Sequence, residues 1–199
     1  MLFYDRINFA KIIKNHIGTF YNYGELKING NKTTHYGDWV TFLFIPIILS
    51  ISLYKLEVRF TETYIDLIIT SLSIFIGLLF SLLALVFELA TKEKENRKAR
   101  QNDKKTEAKY KLTKELFINI AFSIVLSLIS IIVLFLTRLK PSNLISLLKE
   151  NFLYYDILKL TFVGLTNIIG FFLIIEFILT LMMILKRFFV IFLNEFEES

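Results

Sequence analysis

The chain has 199 residues, 55% of them hydrophobic, and a formal net charge of +5. A soluble domain averages about 45–50% apolar residues even with glycine counted, so this composition calls for an apolar solvent. Cysteine is absent, which excludes a disulfide framework, a thiolate metal site and thiol chemistry.

Residues 1–38 mix polar and apolar side chains and lack the basic-then-apolar order of a cleaved signal. The first span is therefore expected to act as its own insertion signal. Phe3, Ile7, Ala10, Ile13, Ile17 and Phe20 recur at helical spacing, with Asp5, Arg6, Lys11, Lys14 and Asn15 mostly elsewhere. The pattern predicts an amphipathic helix that lies on the inner leaflet or docks on a partner subunit. His16 and His35 have no neighbouring carboxylate or second ligand at metal spacing, and both read as surface residues. Tyr21 to Gly37, with three glycines, reads as loop or a short hairpin.

Four long apolar runs follow, predicting spans at about 39–55, 64–90, 115–138 and 158–186. Trp39 opens the first at headgroup level, and Pro46 inside it predicts a kink. The apolar cores of the second and third, Leu67 to Phe87 and Leu116 to Thr137, carry no charge, and that of the fourth, from about Leu160 to Leu185, carries one carboxylate, Glu176. A soluble four-helix bundle would need a polar face on each helix. Spans two and three offer only Ser, Thr and Asn for one.

Those polar residues are ordered. In the second span Thr70, Ser73, Gly77, Ser81 and Ala84 form one small-residue stripe. In the third Asn119, Ser123, Ser127 and Ser130 do the same, and in the fourth Gly164, Asn167 and Gly170 share a face. Small residues let membrane helices approach closely, and hydroxyls and amides bond across them. The other reading is that a stripe, with Asn119, Ser123, Ser127, Ser130 and Asn167 as candidates, lines a water-filled path between subunits. Glu176 lies nine residues after Asn167, on nearly the opposite side of an ideal helix. A mid-membrane charge costs about 2.5–3.5 kcal/mol on insertion scales, and such residues are functional by default. With no basic partner in any span, Glu176 is expected to be protonated and bonded to hydroxyls, or hydrated in a cavity or pore.

Between spans two and three, residues 91–114 are rich in helix formers and carry ten basic residues from Lys92 to Lys114. They predict a charged helical hairpin with its tip at Gln101-Asn102-Asp103. Arg97, Lys98, Arg100, Lys104, Lys105 and Lys109 would set topology and touch anionic lipid, or dock a partner. Tyr110 is the one base-stacking candidate there, so nucleic acid enters only indirectly. After span three, Pro141 and SNLISLLKENFLYY predict a short interfacial helix. The tail 188–199 prolongs the fourth helix and ends acidic. Lys and Arg divide seventeen against six between the two sides, and the positive-inside rule puts the larger set in the cytoplasm. The expected fold is all-α: a polytopic protein of a prokaryotic inner membrane, with four transmembrane helices, both termini and the hairpin cytoplasmic.

No Gly-rich phosphate loop, metal-ligand cluster or Ser/His/Asp set is present in the sequence, so an enzyme and a cofactor are not expected. In size and topology, the run SLSIFIGLLFSLLALVFELA (Ser71 to Ala90) with its basic hairpin and no enzymatic domain resembles small four-span membrane proteins of prokaryotic antiviral loci. Two such groups are the membrane accessory proteins of type VI CRISPR systems and the membrane subunit of the Kiwa system. The resemblance implies a homo-oligomeric sensor or effector that perturbs the envelope once a cytosolic partner detects infection. The expected function is thus an oligomeric pore-forming or membrane-perturbing effector. The alternatives are a non-conducting anchor or sensor that recruits a cytosolic protein, and a small proton-coupled transporter using Glu176.

Overall fold

The computed structural model describes residues 9–20, 36–99, 104–138 and 155–196. Five helical elements hold almost all of them: α1 (Phe9–Ile17), α2 (Tyr36–Lys55), α3 (Glu62–Ala99), α4 (Lys104–Arg138) and α5 (Tyr155–Phe196). Helices α2 to α5 are each long and apolar enough to cross a membrane. The four-span, all-α fold read from the sequence is therefore correct.

Pro46 shapes α2. Its ring cannot donate to the preceding turn and collides with the carbonyl four residues back. Immediately before it, Val40–Phe44 widens into a π-helical turn, with the Ile45 N–H bonded to the Val40 carbonyl. The expected distortion is thus a widened turn rather than a break. At its far end α2 closes in a Schellman motif. The Val58 N–H bonds to Leu53 and the Glu57 N–H to Tyr54, with Glu57 at φ 60°. The Thr61 hydroxyl then caps α3 by accepting the Tyr64 N–H.

The packing order differs from the chain order. Helix α3 packs on α4, α4 on α5, and α5 on α2, so the first span meets the last and not the second. Helix α4 is the central element, with about half of its apolar stretch buried, against a tenth for α2 and α3. The buried face of α3 is a seven-residue series, Ile65, Leu72, Leu79, Val86 and then Glu93. A strict heptad of this kind is the seam of a left-handed helix pair. Against it sit Leu112, Leu116, Ile120 and Leu134 of α4, with Phe177 and Ile184 of α5 completing the core.

Ion pairs between helices fix the register. Glu93 meets Lys109 at 3.3 Å, Glu115 meets Arg187 at 3.5 Å, and Asp66 meets Arg138. From Glu93 to Asp66 is about 40 Å of helix, more than the ~30 Å hydrocarbon core of a bilayer. The outer pairs on α3 and α4 therefore sit beyond the apolar layer at its two faces. Helices α3, α4 and α5 all continue past the Glu115–Arg187 level, extending the expected hairpin as regular helix. The hairpin tip with Arg100, the segment 21–35 that holds His35 and most of the expected loop or short hairpin, the segment 139–154 that holds Pro141, and residues 1–8 and 197–199 lie outside the described residues.

Candidate functional site: a buried polar file beneath the N-terminal helix

The α1 helix sits against the side of α4, at the end of the molecule that carries Arg187 and the basic hairpin. His16 and Ile12 turn inward; Phe9, Ile13 and Ile17 stay exposed on the adjoining arc. His16, expected at the surface, is instead 2% exposed. It lies flat on Phe122 with ring centroids 3.8 Å apart, and meets Phe20 and Phe42 edge-on. Phe20 in turn stacks on Phe42 and presents an edge to Trp39. An aromatic box from α1, α2 and α4 thus encloses one imidazole. The sequence did hold a cue: His16 falls one turn after Ile12, inside the apolar arc of α1 rather than among Lys11, Lys14 and Asn15.

The polar contacts of the box converge on Asn119. His16 Nδ1 donates to Asn119 Oδ1 at 2.9 Å, and the Thr19 hydroxyl approaches the same oxygen at 3.3 Å. Arg187 donates to the Thr19 carbonyl at 3.0 Å, tying the end of α1 to α5. With Nδ1 protonated, the ring is neutral and its Nε2 is an acceptor. Burial holds the His16 pKa down at about 4, assisted by the Arg187 charge and opposed by the bond to Asn119.

Asn119 is the first member of the hydroxyl stripe on α4, and the structure brings that whole stripe inside. Asn119, Ser123, Ser127 and Ser130 are all fully buried. Ser127 and Ser130 donate to carbonyls one turn back. Glu176 of α5 is 94% buried, and Thr180 beside it donates to the Glu176 carbonyl. The Glu115–Arg187 pair sets its height. Eleven residues are three turns to within about 20°, so Glu176 stands above Arg187 on the same face of α5. It is level with Leu126 of α4, between Ser123 and Ser127 and about 16 Å in.

Glu176 and the Gly164, Asn167, Gly170 face are both buried although they point apart, because α5 is covered on two sides. Tyr54 at the end of α2 lies over Gly164, and Phe60 of the following loop lies over Gly170. Asn167 accepts the Phe60 N–H and donates to the Val163 carbonyl. Its amide is spent on holding that loop, which separates it from the polar groups around Glu176. The stripe on α3 has the opposite fate. Thr70, Ser73, Gly77, Ser81 and Ala84 are all exposed on the chain's outer surface, and nothing lies within 4 Å of a Cβ built at Gly77. The Thr70, Ser73 and Ser81 hydroxyls donate to the carbonyls of Asp66, Ile69 and Gly77, one turn back in the same helix. Of the hairpin cations, Lys109 is drawn into the buried pair with Glu93, while Lys98 is exposed. Arg97, Lys104 and Lys105 lie on α3 and α4 without described side chains.

Four buried polar atoms in this region have no hydrogen-bond partner among the described residues: His16 Nε2, Asn119 Nδ2, Ser123 Oγ and Glu176 Oε2. By helix rise they climb from the basic end to mid-membrane. No group of three metal-ligating side chains is found among the described residues. No family model, curated protein or solved structure matches the chain.

Proposed function

We propose that this protein is an ion-passing effector of a prokaryotic cytoplasmic membrane, in which protons move between the cytoplasm and Glu176 along the polar file under α1. The observation that carries the reading is the series of unpartnered buried atoms from His16 Nε2 to Glu176 Oε2. An unsatisfied buried polar group costs about 1–3 kcal/mol, and ionisable groups inside membranes mark proton and ion routes. Water threaded along the file would satisfy Asn119, Ser123 and Glu176 at once. The charge asymmetry supports a cytoplasmic basic end, and on that reading Glu176 is loaded from the cytoplasm. The route runs inside one protomer, because the α4 hydroxyls face its interior; the oligomer expected from the sequence has the exposed α3 stripe available for close approach.

The test is proton flux into liposomes that enclose a pH-sensitive dye, driven by a potassium gradient with valinomycin. Wild-type protein is expected to acidify or alkalinise the lumen according to the sign of the potential. Glu176→Gln should lower the rate at least tenfold, and Ser123→Leu should also reduce it. Absence of flux in every oligomeric state of the wild type would overturn the proposal.

A second reading, a non-conducting anchor for a cytosolic protein, draws support from the basic-end extensions of α3, α4 and α5. The Glu93–Lys109 pair staples α3 to α4 about 9 Å beyond the Glu115–Arg187 level, at the base of the basic hairpin. Charge reversal at Arg97, Lys98 and Arg100 would then abolish capture of the partner while leaving membrane insertion intact.

A further inference from the structure

Helix α1 has three arcs, and only one is explained by the fold. Ile12 and His16 meet the protein; Lys14 and Asn15 are exposed; and Phe9, Ile13 and Ile17 form an exposed apolar arc beside the docked one. About 100° per residue puts Phe9, Ile13 and Ile17 within an 80° sector. The depth of this arc is set by contact. His16 bonds to Asn119, one turn inside the Glu115–Arg187 pair. The His16 end of the helix is therefore held near the level where the apolar layer gives way to headgroups, beside the lipid-facing surface of the spans. Its charged side chains are Lys11 and Lys14, so its sign complements an anionic surface.

We propose that α1 is a latch seated in an anionic leaflet. Its outer arc of Phe9, Ile13 and Ile17 embeds at the acyl–headgroup boundary, with the exposed Lys14 toward lipid phosphates, while its inner arc closes the basic end of the polar file through His16. An apolar arc flanked by lysines is the standard design of a helix lying in the interface, and its affinity rises with both apolar area and anionic lipid. Seating and closing are coupled because both arcs belong to one nine-residue helix. Lipid that holds the outer arc also holds His16 over Asn119. The seating stands on geometry alone; the consequence for flux rests on the proposed proton route.

The chain has no cysteine and a single tryptophan, which gives two clean probes in the full-length protein. Ile13→Cys and Asn15→Cys each carry one nitroxide in vesicles of phosphatidylcholine, with or without phosphatidylglycerol. With phosphatidylglycerol, the label at 13 should be open to oxygen and shielded from a water-soluble nickel reagent, and the label at 15 the reverse. Equal nickel access at both positions in anionic vesicles overturns the proposal. The second probe is Trp39, which closes the aromatic box against Phe20. In a variant combining Phe9→Ser, Ile13→Ser and Ile17→Ser, acrylamide quenching of Trp39 should rise severalfold as α1 lifts. Unchanged quenching overturns the coupling. On the proton-route reading the same variant leaks protons faster than wild type. If wild type itself carries no protons, the label and Trp39 results still decide whether α1 is a lipid-seated latch.

Discussion

His16 is kept neutral by the box that surrounds it, and this makes the docking of α1 dependent on pH. Its pKa stands at about 4 when docked, against an ordinary value of 6.5. Between those values the undocked ring binds a proton that the docked ring refuses, so docking strengthens as pH rises and weakens as it falls. A gap of that size corresponds to about 3 kcal/mol, available in full above pH 6.5 and gone by pH 4. The charge that acts on the ring is that of Arg187 on α5, itself paired with Glu115 of α4. Trp39 quenching in anionic vesicles is expected to rise as the pH of the basic-end compartment drops through that window. His16→Gln, which keeps a donor for Asn119 without a titrating ring, should flatten the dependence. The role of His16 was hard to read from the chain alone. A lone histidine without a nearby carboxylate is ordinarily a surface residue, and its partner Asn119 is 103 positions away. Glu176 and the Asn119 to Ser130 stripe were legible, because a polar group in an apolar run stands out against its background.

At the scale of helices, period alone showed where small residues line up but not what they meet. In water an amphipathic helix declares its buried face by contrast. In lipid both faces are apolar, so the stripe on α3 looked as fit for packing as the one on α4. The structure separates them: α3 buries its bulky heptad from Ile65 to Val86 and turns Gly77 outward. The glycines test this directly. A Cβ at Gly170 would lie 2.8 Å from Phe60 Cε2, and that ring is held by stacking on Phe171. Gly170→Ala should therefore destabilise the folded protein by about 1–3 kcal/mol. Gly164→Ala should cost less, since it meets the free end of Tyr54. Gly77→Ala should be neutral or stabilising by up to about 1 kcal/mol from helix propensity, unless a second copy seats there, in which case the dimer weakens. Thermal unfolding in detergent with size-exclusion readout resolves all three.

Over the whole molecule, charges outside the apolar layer act as clamps of unequal strength. Asp66 and Arg138 are each about half exposed, whereas Glu115 and Arg187 are roughly nine-tenths and six-sevenths buried. Removing one member of the exposed pair should cost only about 0–1 kcal/mol. Removing one member of the buried pair strands a charge and should cost about 3–5 kcal/mol. Arg187→Met is thus expected to be far more damaging than Arg138→Met in detergent unfolding. The sequence located every one of these charges near a span end. It could not pair them, because Arg187 reaches Glu115 only through the packing of the last helix on the third.

The packing order of the spans also bears on how the protein is made. Of the four spans α2 emerges from the ribosome first, yet its main neighbour, α5, follows only after α3 and α4. During the interval α2 has no mate, while α3 and α4 can zip together as a hairpin along their heptad seam. A nascent chain halted before residue 155 would hold a finished hairpin and an orphan helix, open to premature degradation or to capture by an insertase. The packing of α2 therefore waits for α5, which slots between α2 and α4, shelters Glu176 from lipid and gives α1 its Arg187 tether.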